Sequence, residues 1–206
     1  MSSIFDDLIF TPTLKRRLSL MVEKPSLFPE YSVLYGEPAT GKTTFAKRYG
    51  ELVANTVTYI PCNETGLSND VWDNLQRSLH SIDLSNIGET KPLSRLYIFD
   101  EFHNVSTNKQ DRFKTIHDDL PEDIKFFFIV NTDAKSRNKR RVDQVLSGAM
   151  NSRCRNQLCF DYRRDEFDLL LDDLKGLYPH LSENQIVGLF PDHRRLESEN
   201  LFASLG

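Results

Sequence analysis

The sequence predicts an α/β fold, a parallel sheet flanked by helices, with a small helical lid at the carboxyl end. Two observations predict it. Strand-like and helix-like runs alternate through residues 1–160, the signature of βαβ units, whereas residues 161–206 carry helical patterns alone. In addition, Phe126 to Val130 is a continuous apolar run of strand length, and such two-sided apolarity suits the middle of a parallel sheet covered by helices on both faces.

The elements follow in order. Leu14, Leu18 and Met21 recur at helical spacing, and Pro25 and Pro29 then lead into a strand over Tyr31 to Tyr35. Helices are expected over Thr43 to Val53, Asn69 to Leu79 and Asn108 to Leu120, and strands over Thr56 to Ile60, Leu96 to Phe99, Phe126 to Val130 and Gln157 to Phe160. Beyond these, Asp165 to Leu177 places Phe167, Leu170, Leu171 and Leu174 on one helical face until Pro179 stops it. Ser182 reads as the N-cap of a short helix ending near Phe190. A third helix begins around Asp192 and is expected to have barely formed at Gly206.

Composition narrows the function. The 206 residues suit one domain or a core with a small appendage. With 39% hydrophobic and 27% charged residues, the chain reads as soluble and globular, and no apolar run approaches the roughly 20 residues that span a bilayer. Met1 to Asp7 has neither a basic leader nor a long apolar stretch, so an intracellular, cytoplasmic protein is expected, acting in a host cell if the source is viral. Cys62, Cys154 and Cys159 are an odd set without metal-ligand spacing, which argues for a reducing compartment and against a disulfide framework or a zinc site. His80, His103, His117, His180 and His193 show no spacing with carboxylates or cysteines and read as ordinary surface or helix residues, and Trp72 reads as packing. A net charge of -4 from 26 basic and 30 acidic side chains excludes a uniformly basic nucleic-acid binder. The cluster Lys135, Arg137, Lys139, Arg140 and Arg141 reads either as a solvated loop or as a phosphate-contacting one.

The chemistry concentrates in two motifs. Gly36-Glu37-Pro38-Ala39-Thr40-Gly41-Lys42-Thr43 matches G-x-x-x-x-G-K-[ST] between a predicted strand and a predicted helix. There glycines let backbone N–H groups wrap a β-phosphate, the helix N-terminus adds positive character, Lys42 reaches the β and γ oxygens, and the Thr43 hydroxyl ligates Mg2+. The apolar strand Leu96 to Phe99 ends in Asp100 and Glu101, placing one carboxylate to hold Mg2+ and a second to orient and deprotonate an attacking water. Asn131, at the end of the next apolar strand, falls on the same carboxyl edge, where ligands of parallel sheets bind. ATP and Mg2+ are therefore the expected ligands.

These residues resemble the AAA+ ATPases, and more narrowly the small ATPase subunits of sliding-clamp loaders, the replication factor C group and its phage counterparts. The resemblance covers nearly the whole chain. It rests on the P-loop with Thr43-Thr44, on Asp100-Glu101-Phe102, on Asn131 as sensor 1 and on Ser152-Arg153-Cys154, which is similar to the loaders' arginine-finger signature. It implies that Arg153 acts in the ATP site of a neighbouring subunit, and that Arg194, in Phe190-Pro191-Asp192-His193-Arg194-Arg195, contacts the γ-phosphate from the lid. It implies a sliding clamp, primer-template DNA and further loader subunits as partners, with Asn108, Lys109, Gln110 and Arg112 near DNA and Ser106 or Thr107 capping their helix. Two departures stand out: Ala39 replaces a common glycine, and Ile60 is followed by Pro61-Cys62-Asn63-Glu64 where loaders carry Asn-Ala-Ser-Asp. No collar domain is expected within this sequence, so a separate collar-bearing partner is a further expectation. The alternatives are another AAA+ replication ATPase such as a helicase loader, or a nucleotide-binding adaptor with little turnover.

Overall fold

The computed structural model describes residues 5, 7–62, 67–81, 91–132, 142–162 and 166–205. Helix α1 (Pro12–Glu23) starts where Thr11 accepts from the Leu14 amide and proline occupies the first turn. It is followed by β1 (Tyr31–Gly36), α2 (Lys42–Val53), β2 (Ala54–Pro61), α3 (Asn69–His80) and β3 (Leu93–Asp100). Then come α4 (Thr107–Asp111), α5 (Phe113–Asp118), β4 (Ile124–Asn131), α6 (Val142–Val145), α7 (Gly148–Arg153) and β5 (Asn156–Cys159), and the chain closes with α8 (Phe167–Leu177), α9 (Glu183–Leu189) and α10 (His193–Ser204).

The five strands form one sheet in the order β2-β3-β4-β1-β5, and all four pairings are parallel. Alternate residues of the central strands feed two cores. Tyr31, Val33, Tyr97, Phe99, Phe126, Phe128 and Val130 pack on one face with Trp72, Phe102 and Phe113. Leu34, Leu96, Ile98, Phe127, Ile129 and Leu158 pack on the other with Phe45, Tyr49 and the α1 residues Leu14, Leu18 and Met21. This is the two-sided burial that the run Phe126 to Val130 implies. A third cluster holds the lid helices together through Leu170, Leu174, Tyr178, Ile186 and Leu196, and includes Ile9 from the N-terminal segment.

Two expectations are corrected. The helix expected over Asn108 to Leu120 is two short helices, because the Arg112 amide bonds back to Lys109 O (3.3 Å), a tighter turn that interrupts the α pattern. The final helix, expected to be barely formed, runs for 12 residues, with the Asp192 side chain accepting from the Arg195 amide and Leu196 fully buried. Ser182 does cap α9, in a reciprocal box with Gln185. Asn63, Glu64, Asp165 and the basic segment from Lys135 to Arg141 lie outside the described residues. Among the described residues no helix is long and apolar enough to cross a membrane.

Phe113 ties α5 to the sheet: its ring lies 5.0 Å from Trp72, 5.1 Å from Phe99 and 5.3 Å from Phe128, centroid to centroid. Phe113→Ala is expected to cost about 3–5 kcal/mol in urea unfolding followed by circular dichroism.

Candidate nucleotide and metal site

The site is built at the carboxyl edge of the sheet. At the end of β1, Gly36 takes φ 150°, and a Cβ there would stand 2.8 Å from Asp161 Oδ1 and 3.1 Å from the Phe160 carbonyl carbon. Only glycine fits so close an approach. Asp161 in turn accepts from the Glu37 amide (2.5 Å) and, through its other oxygen, from the Thr132 hydroxyl (3.3 Å), binding the ends of β1, β4 and β5 together. The loop then passes through Ala39 at φ 63° and Gly41 at φ 84°. Gly41 is the N-cap of α2 and supplies no side-chain cap, so the first amides of α2 are left to meet an anion.

Lys42 is 4% exposed, and its ammonium donates to Gly36 O (3.0 Å) and Glu37 O (2.5 Å). Burial pushes its pKa down to about 8, against the opposing pull of Asp161, Asp100 and Glu37. The second motif lies beside the first on the same edge. The Thr43 hydroxyl donates to Asp100 Oδ2 (3.0 Å), Tyr59 OH donates to the same oxygen (2.7 Å), and the Glu101 amide donates to Oδ1 (2.9 Å). Glu101 is exposed, in the left-handed region at φ 54°. Among the described residues the only non-glycine positive-φ positions are Ala39 and Glu101, and both line the same cleft. Strain of on the order of 1–3 kcal/mol at each is typical of functional turns.

That cleft, about 370 Å3, is lined by Pro38 to Thr44, Asp100, Glu101 and Asn131 from the core, by Asp7 and Leu8 from the N-terminal segment, and by His193, Arg194 and Glu197 from α10. The Asn131 amide donates to His103 Nδ1 at 3.4 Å, which links the β4 end to the turn after Glu101. Asp7 is paired with Arg48 of α2 (Oδ2 to Nη2, 2.8 Å), fastening the N-terminal segment beside the loop.

The chain is similar to solved structures of RuvB from Thermotoga maritima. One single-substitution variant matches with a TM-score of 0.51 and 20% identity over 81% of this chain and 51% of that one. Another matches with a TM-score of 0.51 and 17% identity over 83% and 53%. The chain thus spans about half the length of the structures it matches. The likeness is one of fold, a five-stranded parallel sheet flanked by helices with the glycine-rich loop at the end of β1. No protein-family model and no curated relative matches the chain.

The structure brings Lys42, Thr43, Thr44, Asp100, Glu101, Asn131 and Arg194 to one cleft. Gly36 and Glu37 stand behind it as the loop's base. Arg153 is elsewhere, at the end of α7, where its guanidinium bonds to Ala149 O (3.4 Å) and Asp118 (3.3 Å) and its Nε is buried without a hydrogen-bond partner among the described residues. Of the four residues expected near DNA, Gln110 is a correction: it is 1% exposed, and its amide bonds to Val105 O (2.8 Å), Val145 O (3.0 Å) and the Ser147 amide (2.7 Å). It is a clamp between α4, α6 and α7. Asn108 is exposed, Lys109 reaches Leu67 O (2.7 Å), and Arg112 lies over the Trp72 ring at 4.3 Å and bonds to Asn69. Ser106 makes no side-chain cap.

His193 is also a correction to the reading of the histidines as ordinary surface or helix residues. Its Nε2 lies 3.2 Å from Tyr162 OH and its Nδ1 lies 3.0 Å from Tyr178 OH, while Tyr162 OH donates to Ile9 O (2.6 Å). With the Tyr162 proton so committed, Nε2 is the donor to Tyr162. Burial lowers the ring's pKa below the ordinary histidine value. Asp161, Tyr59 and His193 were not singled out from sequence; only Asp161, an acid just past a strand end, carried a local signal.

Gly36→Ala is expected to force Asp161 away from the loop, lowering stability by about 1–3 kcal/mol in thermal unfolding and weakening binding of a fluorescent ATP analogue. The Lys42 pKa sets a second expectation. Below about pH 8 the charged ammonium carries its full burial cost, which is relieved as pH rises from 8 toward the ordinary lysine value. A phosphate brought against Lys42 favours the charged form, so anion binding takes up a proton above pH 8 and its affinity falls as pH rises further. Calorimetry at pH 9 in buffers of different ionisation enthalpy should read that uptake, and Lys42→Met should abolish it.

Proposed function

We propose that this chain binds and hydrolyses ATP and works as an ATPase subunit of a sliding-clamp loader on primer-template DNA. One observation carries the hydrolytic part: a capless helix N-terminus, a buried lysine, a hydroxyl bonded to a carboxylate, a second carboxylate in a strained turn and an arginine from the lid converge on one cleft. The residues fit Mg2+, since Thr43 Oγ1 and Asp100 are hard oxygen donors lying together at the mouth of the loop. Thr43 and Asp100 would hold the ion, which would supply neutralisation of the phosphates' charge.

The chain's own groups do the remainder. The α2 amides and Lys42 hold the phosphates, and Glu101 orients the water and accepts its proton. Asn131 positions the water or the γ-phosphate, and Arg194 brings a charge from α10 so that lid position depends on nucleotide. The clamp-loader part is supported by Ser152-Arg153-Cys154 at the end of α7, away from the chain's own cleft, where a guanidinium is available to a neighbour's site once it leaves Asp118. Such an arginine is worth on the order of a thousandfold or more in related phosphoryl transfers. On this reading a sliding clamp and other copies or other loader subunits are the protein partners, and DNA phosphates approach Asn108, Lys109 and Arg112.

The test is steady-state ATP hydrolysis by wild type mixed with excess Arg153→Ala, alone and with clamp and primed DNA. The expected result is a weak basal rate, stimulation by clamp and DNA together, and suppression of the stimulated rate by the variant although it still binds ATP. Unchanged turnover with clamp and DNA overturns the loader role. A mixture that the variant does not poison overturns action in trans.

A further inference from the structure

We propose that Tyr59 is a positioning residue for the divalent cation of the cleft: its hydroxyl fixes the Asp100 carboxylate in the orientation that metal binding requires. The inference rests on the reading of the cleft as a Mg-nucleotide site.

Tyr59 belongs to β2, an edge strand of the sheet, and pairs with Ile98, two positions before Asp100 at the end of β3. Nothing in the packing of the edge demands a tyrosine there, since the residue is 39% exposed and outside both core clusters. Its hydroxyl nevertheless donates to Asp100 Oδ2, at 2.7 Å. The ring is held in that posture from the other side by Lys47, whose ammonium lies 4.0 Å from the ring centroid. Lys47 is one helical turn beyond Thr43, so α2 presents both the metal-side hydroxyl and the cation that covers Tyr59 on one face.

The carboxylate is thereby pinned at both oxygens. Thr43 and Tyr59 converge on Oδ2, and the Glu101 amide holds Oδ1. Each donor removes a rotation that Asp100 would otherwise lose on binding a cation, so the carboxylate meets the metal with its orientation already set. Bonds to a carboxylate are among the stronger ones a hydroxyl can make. Burial, followed by the bond to Asp100, pushes the Tyr59 phenol's pKa upward, and the hydroxyl stays a donor. Tyr59 touches no reacting atom and acts only through Asp100.

Tyr59→Phe removes the hydroxyl and keeps the ring under Lys47. The measurement is the affinity of the intact chain for a fluorescent ATP analogue, titrated with Mg2+ and repeated in EDTA, together with the thermal midpoint. The expected result is an EDTA affinity within about twofold of wild type, an unchanged midpoint and a Mg2+ half-saturation raised by about three- to tenfold, less than the full worth of a bond to a charged group because Thr43 and the Glu101 amide still hold Asp100. A half-saturation that is unchanged or lowered overturns the inference, the latter because the hydroxyl would then compete with the cation. A wild type whose affinity does not respond to Mg2+ overturns the reading of the cleft itself.

Discussion

Packing of aromatic rings on one face of the sheet sets the register on which the cleft depends. Tyr31 and Phe126 stack with centroids 5.2 Å apart, and Phe99 and Phe128 stack at 5.3 Å. These contacts tie β1 to β4 and β3 to β4 at paired positions, Tyr31 opposite Phe126 and Phe99 opposite Phe128. A slip of one residue in either pairing would turn these rings to the opposite face. The same registers bring Gly36 opposite Asn131 and carry Asp100 to the same edge, so the order of groups along the cleft follows from apolar packing well below it.

Above that layer the polar groups are under opposing demands. Lys42 is buried at a cost that lowers its pKa, and it is retained by carbonyls of its own loop and by the nearby charges of Asp161, Asp100 and Glu37. Asp161 meets both needs: it lies against Gly36, accepts from the Glu37 amide, and stands where the last strand leads toward the lid. From there Tyr162 and His193 connect Ile9, Tyr178 and the start of α10, the helix that brings Arg194 to the cleft. The base of the loop and the start of α10 are therefore joined through two adjacent residues, Asp161 and Tyr162.

What is legible in the sequence and what is not divides along distance in the chain. Lys42 and Thr43 were legible because the loop's chemistry is contained in eight consecutive residues, and Asp100 and Glu101 because an apolar strand announces its own acidic end. Gln110 was misread: a polar residue near a helix start looks like a surface donor, and only the packing of α6 and α7 against it makes it an interior clamp. The break at Arg112 escaped because apolar spacing continues through it while the hydrogen bonding tightens. Arg153 was placed by a short motif, yet its engagement with Asp118 joins two helices that the sequence separates by 35 positions.

The sequence by itself determined the alternation of strands and helices, the two-sided burial of β4, the phosphate loop and the acidic strand end, because each is written in the periodicity or spacing of neighbouring residues. Only the tertiary structure decided that Tyr59 would share Asp100 with Thr43, that Asp161 would crowd Gly36, and that His193 would lie between two tyrosines. Those outcomes depend on the strand order β2-β3-β4-β1-β5 and on how the lid folds back on Ile9. Strand order is set by the summed burial of whole faces, a quantity that no local stretch of residues contains.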